Sequence, residues 1–424
     1  MIEKLLGFRK HYLVSNISWV ISANIIVKII ALFYTIFLAR SLGPSNFGIH
    51  VFGLTAFGLV STLTDFGYNR LLTREVAKDK RQMDIFLGNI ISLSLFWSVI
   101  SAIFIGYLMF LIDSDVLRRS ASMIFILTII PNTLAATLLA SLSALEKFKS
   151  VAISTVFLSL AVTILGTISI IVFKSGVIGI AITFLIAHII LFSFLLFCSI
   201  KNKFKIKFLY DFNFWQKTFK QSLPYGILTI LGLLYFKIDT ILLTVLKGNE
   251  ITGYYGASYR FLESVHFIPA SVMMVLFPVM SRLHKGSVFE LKKLYLRSML
   301  TLGVVSIPVF LFLLVFAEVI ITTLYGNMYQ PSIAVLKILS VAVIFMFLHV
   351  PGAHLLFATE KYLKTVVVLS VFTVLLNIVL NLIFIPRYGI LAASIITVIS
   401  EAISFVIFSL LIWLKVLKLD EGKI

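Results

Sequence analysis

The sequence predicts an all-α integral membrane protein with about twelve transmembrane helices. They form two parallel six-helix repeats around a central cavity, with the N and C termini cytoplasmic. Three observations predict this: composition, the spacing of apolar runs, and the placement of Lys and Arg. Hydrophobic residues make up 60% of the 424 and charged residues 13%, which overrides the soluble-domain count that length alone suggests. A bilayer core about 30 Å thick takes roughly 20 helical residues to cross. Runs of that kind fall at 15–39, 47–66, 85–111, 121–144, 151–173, 177–199, 222–246, 252–277, 295–317, 332–357, 363–385 and 389–413. With the N-terminus inside, 26 of the 36 basic residues fall in cytoplasmic segments. Outside loops take six (Arg40, Arg118, Arg119, Lys174, Lys247 and Arg387), and Lys28, Lys237, Arg260 and Lys337 lie within runs. That bias follows the positive-inside rule.

In chain order, Lys4, Arg9 and Lys10 precede a first run too long for a secretory h-region of roughly 7 to 15 residues. The second run ends at Asp65, within reach of Arg70 and Arg74 for an interfacial ion pair. Pro131, Pro224, Pro269, Pro278, Pro308 and Pro351 fall in or near later runs, where they kink helices. Gly and Pro in Phe173-Lys174-Ser175-Gly176 and Pro386-Arg387-Tyr388-Gly389 mark turns between adjacent runs. Three regions result: an N-terminal six-helix bundle (1–200), a basic amphipathic linker (201–221) and a C-terminal six-helix bundle (222–424). In the linker Phe208, Phe212, Trp215 and Phe219 recur at helical spacing among lysines. This pattern suits a segment lying at the membrane surface, whether as a lipid contact or as a plain cytoplasmic connection.

The halves echo each other. Ala144-Leu145-Glu146-Lys147-Phe148 returns as Ala358-Thr359-Glu360-Lys361-Tyr362. Lys174-Ser175-Gly176-Val177-Ile178-Gly179 returns as Arg387-Tyr388-Gly389-Ile390-Leu391-Ala392. Each half holds six runs, so the repeat is parallel and the substrate site is expected between halves.

Charges inside apolar runs carry the functional argument, above all in Ser222 to Arg282. Lys28 and Glu401 fall near the middle of the first and twelfth runs, and Lys237, Asp239, Arg260 and Glu263 lie in the seventh and eighth. Each would cost about 2.5 to 3.5 kcal/mol facing lipid, so they must face one another or water. Two explanations stand side by side. Arg260 with Glu263, and Lys237 with a carboxylate of the eighth run, can simply pair. Alternatively Lys28, Lys237 and Arg260 cradle a phosphate or pyrophosphate, while Asp239, Glu263 and Glu401 serve ion coupling or charge pairing. His188, His266, His349 and His354 suit packing, and Asn377 and Asn381, four apart, suit contacts between helices.

Several motifs in family order resemble the oligosaccharide and polysaccharide flippases (Wzx-type) of the multidrug/oligosaccharidyl-lipid/polysaccharide exporter superfamily. They are Ala39-Arg40-Ser41-Leu42-Gly43-Pro44-Ser45-Asn46-Phe47-Gly48, Asp65-Phe66-Gly67, Arg74-Glu75, Leu223-Pro224, Asp239, Gly253-Tyr254-Tyr255-Gly256-Ala257 and Phe277-Pro278-Val279-Met280-Ser281-Arg282. Leu324-Tyr325-Gly326-Asn327-Met328-Tyr329 and Ile385-Pro386-Arg387-Tyr388-Gly389 complete the set. The resemblance implies a lumen lined by the first, second, seventh and eighth helices, and alternating access for a polyprenyl-(pyro)phosphate-linked sugar. Lys28 and Arg260 match the family's lumen cations by location, whereas Lys237 matches no family residue. Gly43, Gly48, Gly253 and Gly389 suit tight turns.

The expected function is a flippase for lipid-linked oligosaccharide or polysaccharide repeat units in the plasma membrane, with membrane lipids and a coupling cation (H+ or Na+) as partners. The alternative is an ion-coupled small-molecule or drug antiporter on the same fold. An enzyme is not expected, because the outside loops are short, and no G-x-x-x-x-G-K-[ST] phosphate loop supports ATP-driven transport. One cysteine, Cys198, and no metal-type Cys/His spacing give no cofactor. Nucleic acid is not a partner despite the net charge of +18, because the cations sit in short clusters between apolar runs. The chain is expected to act as a monomer.

Overall fold

The computed structural model describes residues 2–201, 204, 206–359 and 362–416. Lys203 and Lys205 of the linker, Glu360 and Lys361 of the first echo, and the C-terminal Lys418 and Lys423 lie outside the described residues. The described residues hold no strand. Fourteen α-helices follow one another: α1 (Ile2–Asp65), α2 (Tyr68–Lys78), α3 (Met83–Ile112), α4 (Val116–Leu127), α5 (Ile129–Ala144), α6 (Phe148–Ile171), α7 (Gly176–Lys201), α8 (Phe212–Lys247), α9 (Asn249–Val265), α10 (Phe267–Gly286), α11 (Val288–Val315), α12 (Ala317–Leu324), α13 (Pro331–Ala358) and α14 (Leu363–Leu411).

Among the described residues, ten helical stretches are long and apolar enough to cross a membrane. Two of them, Ser18–Asp65 and Lys364–Leu414, run 48 and 51 residues, and each takes in two of the predicted crossings. Both contain one non-helical residue, Gly43 (φ 71°) and Gly389 (φ 58°), in the left-handed region where glycine alone is unstrained. Pro44 then starts the next helical segment with its φ already set. Prolines act elsewhere as expected. The breaks at Thr128 and His266 each fall three residues before Pro131 and Pro269, where the ring removes a helical N–H and crowds the preceding turn.

The chain divides into two compact units, one of residues 1–42 and 49–233, the other of 43–48 and 234–424. In the first unit the linker is not a free tether. Leu209 N donates to Gly88 O at 3.3 Å and Asp211 N to Asn89 Oδ1 at 3.2 Å. Trp215 meets Phe96 and Phe214 meets Phe86, while Tyr210 and Phe212 remain about three-quarters exposed. Asp65 does not pair with the following arginines: its Oδ1 accepts from Asn69 N at 3.3 Å, and Arg74 bonds Glu75 instead. The turn after Asp65 directs the chain so that a local amide reaches the carboxylate before either guanidinium does.

In the second unit polar and charged groups sit inside, among apolar ones, while large apolar side chains face outward. Asp239, Asn377, Asn381, Thr397 and Glu401 are buried, whereas Val368, Phe372, Leu375, Leu382 and Ile383 are exposed. That inversion is what a hydrocarbon solvent demands. Gly48 and Gly253 depart from the expected turns, because both sit inside helices packed against each other. A Cβ on Gly48 would fall 1.8 Å from Asn249 O, and one on Gly253 2.0 Å from Pro44 O. Their glycines are needed for backbone approach, reciprocal between Pro44–Gly48 and Asn249–Gly253.

Candidate functional site

Lys237 and Asp239 lie two apart on α8 and so face different neighbours. Lys237 Nζ reaches Glu263 Oε1 on α9 at 2.5 Å, and Arg260 Nη1, one turn before Glu263, reaches Oε2 at 3.2 Å. Two cations thus share one carboxylate, for a formal charge of +1. The side chains are 28%, 24% and 32% exposed for Lys237, Glu263 and Arg260, so the triad is neither sealed nor on open surface. Arg260 Nε is buried without a hydrogen-bond partner among the described residues. The Tyr259 ring lies 6.0 Å from Lys237 Nζ and stacks on Tyr255, adding cation–π support in a site with limited water.

Asp239 is held differently. Its Oδ1 accepts from Asn381 Nδ2 at 2.7 Å, and its Oδ2 from Thr397 Oγ1 at 2.9 Å and Tyr255 Oη at 3.0 Å. Asn381 also donates to Asn377 Oδ1 at 2.9 Å, and Asn377 Nδ2 donates to Ser400 Oγ at 3.0 Å. Every donor on this buried carboxylate is neutral, and Asn381 Oδ1 is buried without a partner. Hydrogen bonds to a charged acceptor are the strong kind, yet no counter-charge touches Asp239 among the described residues.

Glu401 forms a third centre. His349 Nδ1 on α13 lies 2.9 Å from Glu401 Oε2 on α14, with exposures of 14% and 3%. Tyr235 Oη and Ser404 Oγ lie 3.4 Å apart one turn along. The structure therefore brings Lys237, Arg260 and Glu263 together, gives Asp239 its own cage and pairs Glu401 with His349. Lys28 lies in the first unit, exposed on α1. His349, expected only to pack, instead faces Glu401; Tyr255 stood out in the sequence only as part of a motif, and Thr397 did not stand out. The available signal was spacing: Asn377 and Asn381, and Thr397 and Glu401, each lie four apart and so line one helix face.

A helical chain with exposed apolar flanks and charges inside its apolar spans is a multi-pass membrane protein. Residues 13–284 match the family described as polysaccharide biosynthesis protein, and the chain belongs to that family. It is 24% identical over 411 residues to an uncharacterized membrane protein of Methanocaldococcus jannaschii, covering 92% of this chain and 95% of the relative. A candidate O-antigen transporter of Shigella flexneri is 24% identical over 350 residues, covering 78% and 82%. In fold the chain is similar to an inward-facing multidrug resistance MATE family transporter of the MOP superfamily, with TM-score 0.78, 15% identity and 94% and 96% coverage. It is also similar to the lipid II flippase MurJ in its inward closed conformation, with TM-score 0.74, 21% identity and 94% and 87% coverage.

Proposed function

We propose that the protein is a flippase that moves polyprenyl-(pyro)phosphate-linked oligosaccharide or polysaccharide repeat units across the plasma membrane by alternating access. The observation that carries this is the Lys237–Glu263–Arg260 triad, a net-positive and partly accessible group within apolar spans of a polysaccharide-biosynthesis family member. A phosphate cannot cross bare hydrocarbon without a Born cost of tens of kcal/mol, and a cation with an unused donor supplies what water supplied outside. In this proposal Arg260 and Lys237 hold the phosphate, Glu263 holds both cations when no substrate is bound, and Lys28 is a further candidate cation for the substrate.

Asp239 and Glu401 are the coupling candidates. A carboxylate ringed by neutral oxygen and nitrogen groups suits a proton or Na+, whose entry neutralises it at a gain of about 2.3 kcal/mol per charge per 100 mV of membrane potential. The surrounding architecture is two six-helix bundles, 1–200 and 222–424, joined by the linker 201–221, with twelve crossings, both termini cytoplasmic and the monomer as the working unit. The S. flexneri relative's name favours a lipid-linked sugar over a drug, and a net-positive triad disfavours organic cations.

The test is reconstitution in proteoliposomes with a fluorescent lipid-linked oligosaccharide. Wild type should translocate it, while Arg260→Gln and Lys28→Gln insert normally and translocate it at least about tenfold more slowly. Full transport by both variants would remove the cationic cradle, and transport of organic cations alone would favour the antiporter.

A further inference from the structure

Two hollows open on the outside of the second unit along α13 and α14. One, of about 480 Å³, is lined among others by Lys247, Arg387, Tyr388, Ala334 and Leu391. The other, of about 300 Å³, is lined by Lys337, Ile338, Ile395 and Ile399. Ala334 to Ile338 is one helical turn, and so is Leu391 to Ile395. The two hollows are therefore successive parts of one groove with a cationic mouth and an apolar trough. Leu391, Ile395 and Ile399 are all exposed, a stripe at four-residue spacing on the face of α14 opposite the buried Thr397 and Glu401.

The cations come from three places in the chain, and no acidic residue lines either hollow. Lys247 Nζ donates to Pro386 O at 2.7 Å, taking up a carbonyl just ahead of the Gly389 break, as basic side chains do at helix ends. Arg387 and Lys337 form no ion pair among the described residues. Glu250, the acid nearest Lys247 in sequence, is engaged by Tyr254 Oη at 2.5 Å. Lys337 lies six residues into α13, about 9 Å along its axis. From there its stem can lie on the apolar wall while its ammonium rises to the mouth.

We propose that this groove binds one anionic glycerophospholipid of the surrounding bilayer. Its phosphate sits between Lys247 and Arg387, with Lys337 reaching up from below, and one acyl chain lies along Ile338, Leu391, Ile395 and Ile399. A free phosphate would gain nothing from the trough. The bound lipid would tie the end of α8 to the α14 break, so it is a structural ligand of the second unit rather than cargo. This inference needs only that the chain spans a membrane, and it holds whichever substrate is carried.

Native mass spectrometry of the full chain from nanodiscs containing phosphatidylglycerol and phosphatidylcholine tests it. Wild type should retain one phosphatidylglycerol with about tenfold preference. Lys247→Gln with Arg387→Gln should abolish the preference, Ile395→Trp should weaken retention by blocking the trough, and Lys80→Gln should change nothing. Arg387→Gln alone breaks no bond in the fold and keeps the test decisive if the double variant does not fold. Equal retention of phosphatidylcholine, an unchanged preference in the Arg387 variant, or retention of a polyprenyl phosphate instead would each overturn the proposal.

Discussion

Two triads in this protein contain the same residues in different solvents. On α2, outside the apolar spans, Glu75 takes Arg74 at 2.7 Å and Lys78 at 3.0 Å. Inside the spans, Glu263 takes Lys237 at 2.5 Å and Arg260 at 3.2 Å. Each is one glutamate shared by one arginine and one lysine. Bonds from Lys78 and then Arg74 hold the Glu75 carboxyl below the usual carboxylate range, but water and salt screen the cations, and such pairs are worth about 0–1 kcal/mol. Within the membrane the same excess of one positive charge must be met by an anion or a trapped water layer. Pair geometry alone does not mark a functional site; the dielectric around it does.

The largest effect should separate the triads outright. Arg260→Gln should lower transport of a lipid-linked oligosaccharide roughly ten- to hundredfold, the worth of one or two charge-assisted hydrogen bonds, while Arg74→Gln leaves the rate unchanged. Glu263→Gln should come next. It leaves two cations facing each other and should cost about 1–3 kcal/mol after allowing for partial exposure, read as a lower melting temperature in detergent that Glu75→Gln does not reproduce. Asp239→Asn keeps the shape of its cage and removes the charge, so transport should lose its dependence on the cation gradient with little change in melting temperature. Gly253→Ala forces apart backbones that meet across Pro44–Gly48 and should destabilise by about 1–3 kcal/mol, measured by the same thermal assay.

The smallest effect concerns pH. A carboxyl held below its ordinary value stabilises the folded state above the ordinary range and loses that contribution as pH falls through the lowered value. Acidification should therefore erase the slight stability difference between wild type and Glu75→Gln, and bring no change in transport that this pair accounts for.

Much of this was legible in the sequence, because hydrocarbon punishes exceptions. Twelve apolar runs stand out, and so do six charges inside them that have to be explained. The Arg260–Glu263 pair was readable because it is local, three residues on one helix. The cage around Asp239 was not, since Asn381 and Thr397 lie 142 and 158 residues away and no local pattern reports such a contact. Gly48 and Gly253 were misjudged for a related reason. A glycine needed for a turn and a glycine needed for another backbone's approach look alike in sequence, and only the packed helices distinguish them.

The most direct test is equilibrium binding of a short-chain polyprenyl pyrophosphate to the purified protein and to its Arg260→Gln and Arg74→Gln variants. The account predicts at least about tenfold weaker binding for Arg260→Gln and wild-type binding for Arg74→Gln. Equal affinity in all three proteins would contradict it.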